Sequence, residues 1–140
     1  MIVVIRMSGQ VGLKEDINNT LNRLNLRRKL ITTLVRDTKE NQGMLKKVRY
    51  NICFGTINKE TLFNLISKRG KIVGGKNLTK EQAEKVIVGL EKGKSLRELG
   101  LKPFFRLSPP IKGFKNTKQA YPHGDLGKHA KINELLERMI

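Results

Sequence analysis

Three short β-branched runs, separated by two stretches of helical spacing, fill the first 57 residues, and that alternation confines the chain to a small mixed α and β fold. Met1–Met7 reads as a strand, because Ile2-Val3-Val4-Ile5 is a continuous apolar run that asks for burial on at least one face. Ser8-Gly9-Gln10-Val11-Gly12 is a polar turn. Leu13, Ile17, Leu21 and Leu24 then recur at helical spacing, with Glu15 and Asp16 in the first turn where the helix dipole favours them. Asn25 suits a left-handed stop, and the knuckle Arg27-Arg28-Lys29 leads into a second strand, Leu30–Val35. Asp37 and Thr38 can cap a helix running through Met44, Leu45 and Val48. Val48, Tyr50, Ile52 and Phe54 alternate with Arg49, Asn51 and Cys53, which predicts a half-buried third strand with Gly55 near its end.

From residue 58 the pattern turns helical. Asn58 can cap a helix carrying Leu62, Leu65 and Ile66, with Gly70 as a left-handed terminator. Thr79 and Gln82 form a capping box ahead of the stripe Ala83, Val86, Ile87 and Leu90, and Ser95 with Glu98 repeats the box on a short helix of one to two turns ending at Gly100. Pro103–Leu107 reads as an edge strand, since its opening proline cannot donate to a ladder. A polar loop follows Pro109-Pro110, and its Ile111–Lys128 part is expected to be mobile until a partner orders it. Ile132, Leu135, Leu136 and Met139 make a terminal helix. The expected organisation is a core over residues 1–57 and an extension over 58–140, packed together as one domain.

Charge narrows the function. Twenty-nine Lys and Arg against twelve Asp and Glu leave +17 over 140 residues, a self-repulsion that a polyanionic partner would relieve. The excess is uneven: Leu99–Gly124 holds Lys102, Arg106, Lys112, Lys115 and Lys118 and no acid. Nucleic acid is the expected partner, through released counterions. No stretch approaches the apolar length of a bilayer span, and the apolar opening lacks the basic leader of a signal peptide. The single Cys53 excludes an intramolecular disulfide and suits a reducing interior. With no Trp and 5% aromatic residues, phosphate and shape contacts are expected to outweigh base stacking.

Two apparent chemical motifs fail on context. Gly70-Lys71-Ile72-Val73-Gly74-Gly75-Lys76-Asn77 has the spacing of a phosphate-binding P-loop, but Asn77 stands where Ser or Thr must reach magnesium, and the next helix begins only at Thr79. His123, Asp125 and His129 lack the tight paired spacing of a zinc site, so His129 beside Lys128 reads better as a phosphate contact. Cys53 sits mid-strand without an acid–base partner, so a quiet thiol is expected, and no enzyme activity. What survives is basic: Arg27-Arg28-Lys29 on a turn, Lys46, Lys47 and Arg49 around the second helix, and Pro109-Pro110-Ile111-Lys112-Gly113-Phe114-Lys115. Phe114 fits either a wedge into RNA or a hydrophobic anchor for its own loop.

Several segments together resemble the large-subunit ribosomal protein L-thirty family, in its archaeal form, the counterpart of eukaryotic L-seven. They are Ser8-Gly9, Leu24-Asn25-Leu26-Arg27, Val35-Arg36-Asp37-Thr38, Gly43-Met44-Leu45-Lys46-Lys47-Val48, Phe105-Arg106-Leu107-Ser108-Pro109-Pro110 with Lys112-Gly113-Phe114, and Leu126-Gly127. Gln42 stands where the family commonly has Arg, and Ser108 where many members have His. The resemblance implies an α+β fold with a β-α-β-α-β core, related to the ferredoxin-like arrangement. It also implies a non-catalytic, cytoplasmic role on ribosomal RNA beside neighbouring ribosomal proteins, without cofactor, metal, membrane or small-molecule substrate. The expected RNA-binding residues are Arg6, Ser8, Arg27, Arg28, Lys29, Arg36, Gln42, Lys46, Lys47, Arg49, Arg106, Lys112, Lys115, Lys118, Lys128 and His129. A free RNA chaperone or rRNA-processing factor is the alternative.

Overall fold

The computed structural model describes residues 1–116 and 118–140. Strand β1 (Ile2–Arg6) lies at the centre of a sheet, antiparallel to β2 (Ile31–Val35) on one side and to β3 (Ile52–Thr56) on the other. Strand β4 (Phe105–Arg106) adds antiparallel to β2, and β5 (Gly127–Lys128) adds parallel to β3, giving the order β4-β2-β1-β3-β5. Two helices, α1 (Glu15–Arg23) and α2 (Lys39–Lys47), supply Leu21 and Leu45 to a cluster on one face with Ile2, Val4, Ile31, Val35 and Ile52. On the other face α3 (Lys59–Arg69), α4 (Lys80–Glu91) and α5 (Ile132–Met139) close over Val3, Ile5 and Cys53. The protein is thus α+β, with a β-α-β-α-β core. Burial on both faces accounts for the unbroken Ile and Val of β1, each side chain contributing about 1.5–3 kcal/mol.

Local signals act where they stand in the sequence. The Thr79 hydroxyl accepts from the Gln82 amide, while the Gln82 side chain accepts from the Thr79 amide, so both halves of the box form. Thr38 caps α2 by accepting from the Asn41 amide. Asn25 is left-handed at φ 61°. Ser95 and Glu98 also exchange bonds, but around a hydrogen-bonded turn rather than a helix.

Three local expectations are corrected. The third strand begins at Ile52 rather than Val48: Val48 ends α2, the Asn51 amide closes a turn on its carbonyl, and Tyr50 is left 69% exposed. That strand is also not half-buried, because Ile52 and Cys53 each enter a core cluster on opposite faces. Gly70 is extended at φ −66°, not left-handed. Glycine is required there by space, since a Cβ would run into the Ile66 carbonyl oxygen and stand 2.7 Å from Leu78 Cδ1. Asn58 makes no side-chain cap; its backbone amide donates to Asn133 Oδ1 of α5 at 2.9 Å.

The segment after Pro110, expected to be mobile, is tied at several points. The Ile111 amide donates to the Arg138 carbonyl, and the Arg138 guanidinium returns bonds to the Ile111 and Gly113 carbonyls. Phe114 packs on the core of the three-helix face, the anchor rather than the wedge. The Asp125 carboxylate accepts from the Lys115 amide at 2.7 Å, and the Asp125 amide donates to the Asn116 carbonyl. Thr117, inside that span, lies outside the described residues.

Candidate nucleic-acid interface

The basic knuckle is held open by backbone geometry. Left-handed Asn25 and Leu30 bracket it, and the Leu26 amide donates back to the Leu21 carbonyl, so Arg27, Arg28 and Lys29 project from a tight turn and are exposed. Arg106 stands opposite Ile31 in the β2–β4 pairing, and therefore on the α1–α2 face of the sheet. Arg97 arrives from the turn after α4, its guanidinium donating to Asn25 Oδ1 at 3.2 Å. Arg27, Arg28, Arg97 and Arg106 thereby line one cleft of about 320 Å³ with Phe104 and Pro103, and its described lining contains no carboxylate. Sequence reasoning missed Arg97, which belongs to no basic cluster; the Ser95–Glu98 box was the one signal that a turn would fix it.

A second, larger cleft of about 730 Å³ opens at the opposite sheet edge. Helix α2 contributes Gln42 and Lys46, the following turn Arg49 and Tyr50, the floor Phe54, and the far wall Tyr121 and Lys128. The Arg49 guanidinium lies 4.9 Å from the Tyr50 ring centroid and donates to its hydroxyl at 2.8 Å. Gln42, in the position where Arg was expected, donates its amide to the Asp37 carboxylate. Ser108, where His was expected, accepts from Arg69 at 2.8 Å.

Other expected residues lie apart from both clefts. Lys112, Lys115 and Lys118 are exposed on the long loop, with Lys115 Nζ donating to the Pro122 carbonyl. Arg36 and Lys29 are exposed, and Ser8 is half-buried and donates to Asn51 Oδ1. Lys47 pairs with Asp16 at 3.6 Å and Lys59 with Glu91 at 3.4 Å, the described ion pairs that involve lysine; exposed pairs like these contribute little.

Arg6 and His129 do not join this surface. Arg6 is 1% exposed and spends its guanidinium on the carbonyls of Leu26, Ser8 and Gly9; burial lowers its pKa from the usual arginine value. His129 is buried as well. The Lys131 amide donates to its Nδ1 at 3.1 Å, which places the proton on Nε2, 3.0 Å from Asp125 Oδ1. Both ring nitrogens are therefore used, and no phosphate can reach them. Among the described residues no group of three His, Cys, Asp or Glu is placed to hold a metal. The Cys53 thiol is fully buried; burial, and secondly the Asp125 carboxylate, push its pKa above the usual range, so it is held protonated.

The P-loop look-alike is a reverse turn. Lys71 bridges Asn77, the Ile72 amide donates to the Lys76 carbonyl, and Gly74 and Gly75 take φ of 116° and 90° at the tip. The next helix starts at Lys80, not at Lys76.

The sheet order, the helices on both faces and the outward cations define a small, strongly basic α+β protein with cations lining two open clefts. A family model described as Ribosomal protein L30p/L7e matches residues 2–52, from β1 to the start of β3. Proteins named large ribosomal subunit protein uL30 match over the full length: that of Methanosphaera stadtmanae is 38% identical over 100% of both chains, and that of Archaeoglobus fulgidus 40% identical over 99% of both. The counterpart from Nanoarchaeum equitans is 37% identical over 100% of this chain and 99% of its own. This chain belongs to the L30p/L7e family of ribosomal proteins.

Proposed function

We propose that this chain is a structural constituent of the large ribosomal subunit in the cytoplasm, holding folded rRNA through its exposed cations and performing no chemical step. The observation that carries the reading is the four-arginine cleft. Guanidinium groups collected without a carboxylate repel one another, and each offers the planar fork that meets phosphate oxygens in pairs. RNA phosphates entering the cleft remove that repulsion and release their counterions. Lys46, Arg49 and Lys128 extend the contact along the opposite edge, and Lys112, Lys115 and Lys118 offer further phosphate contacts from the long loop. The names of the full-length relatives support the same assignment. Neighbouring ribosomal proteins are the expected further partners. A free chaperone or rRNA-processing factor could use the same surface, and the two readings separate on sedimentation of a cell extract in high salt. A subunit constituent stays with the large particle; recovery only at the top of the gradient would refute the proposal.

A further inference from the structure

We propose that the cleft between α2 and the 120–128 segment receives one unstacked RNA nucleotide, its base on the aromatic lining and its phosphate on the cationic rim. The inference rests on RNA being this protein's ligand, and goes beyond phosphate contact to a base-accepting site. Phe54 forms the floor; Lys128 is its partner in the β3–β5 pairing, so both belong to the α2 side of the sheet. Tyr50 is 69% exposed, with the Arg49 guanidinium beside its ring. Tyr121 is backed by His129, the ring centroids 4.5 Å apart, and His129 is itself fixed by Asp125 and the Lys131 amide. That backing sets the orientation of Tyr121 before any ligand arrives, which lowers the ordering cost of stacking.

The lining selects among occupants. The volume of about 730 Å³ is within the range of small-ligand pockets. An apolar protein side chain would cover the rings but leave Lys46, Arg49 and Lys128 without a counter-charge. A bare phosphate would satisfy those cations and leave three aromatic rings facing water. The acid in the described lining, Asp37, accepts from the Gln42 amide and keeps its charge, but against Lys46, Arg49 and Lys128 it leaves the rim net positive. A nucleotide matches both halves: splayed RNA bases stack on aromatic rings and guanidinium planes while their phosphates meet cations.

The protein carries its own reporter, because it has no Trp and both of its tyrosines, Tyr50 and Tyr121, line this cleft. Titration of the full chain with an adenylate hexamer should quench tyrosine emission saturably. A sugar–phosphate hexamer without bases should not. Purified large-subunit rRNA should bind Tyr50→Ala about tenfold more weakly than the parent, with the same salt dependence and melting temperature, and Tyr50→Phe within about twofold of the parent. Emission indifferent to the adenylate hexamer, or Tyr50→Ala binding rRNA like the parent, overturns the nucleotide site. If rRNA binding by the parent stays steeply salt-dependent in that case, the proposed function stands and the cleft belongs to a neighbouring protein. A parent chain that does not bind rRNA overturns both.

Discussion

Three helices close one face of the sheet over nineteen buried apolar residues among those described, whereas α1 and α2 close the other over ten, with the arginine-lined and tyrosine-lined clefts at its two sides. The edge strands make the contrast sharper. β4 and β5 are two residues each, too short to template pairing with another chain, and each sends one cation, Arg106 or Lys128, to the partly covered face. One face therefore carries most of the hydrophobic stabilisation, and the other holds the arginine-lined and tyrosine-lined clefts.

Substitutions that touch one face and spare the other test this division. The largest stability effect is expected from Leu136→Ala, fully buried on the three-helix face, at about 3 kcal/mol by chemical denaturation. Residues 1–57 and 58–140 should unfold together in a single transition, with rRNA binding below it unchanged; two separate transitions would break the picture of one sheet closed by both parts. Next comes Arg6→Met, which removes a buried guanidinium from three carbonyls and should cost about 2 kcal/mol in the same assay. A variant as stable as the parent but weaker on RNA would return Arg6 to the interface. The most local in its readout is Asp125→Ala, which frees the Lys115 amide and leaves the buried His129 Nε2 without its acceptor. In the parent that amide should exchange slowly without RNA, and in the variant many times faster; fast exchange in the parent would restore a mobile loop.

Elements written in local code were legible in the sequence. The β-branched runs of β1 and β2, the spacing of Leu13, Ile17 and Leu21, and the Thr79–Gln82 box each depend on neighbours within a few residues. What escaped depends on distant partners. Asn58 looked like a side-chain cap, yet the bond it makes is from its backbone amide to Asn133, 75 residues on. Arg6 looked like a surface cation, yet the Leu26 carbonyl that receives it comes from beyond α1. His129 looked like a phosphate ligand until Asp125 and Lys131 took both nitrogens. Tyr50 fell into a strand-like alternation by coincidence, because the turn that ends α2 leaves no periodic trace. Arg97 was invisible for the converse reason: folding alone brings it to Arg27, Arg28 and Arg106.

The most direct measurement is the salt dependence of binding between the isolated chain and purified large-subunit rRNA, compared with a variant carrying Arg27, Arg28, Arg97 and Arg106 all changed to Gln. The parent should lose affinity steeply as salt rises, and the variant's log–log slope should be shallower by about three units, with its melting temperature unchanged. Equal slopes for the two proteins would contradict the account, since the face that gathers the arginines would then not be the face that meets the RNA.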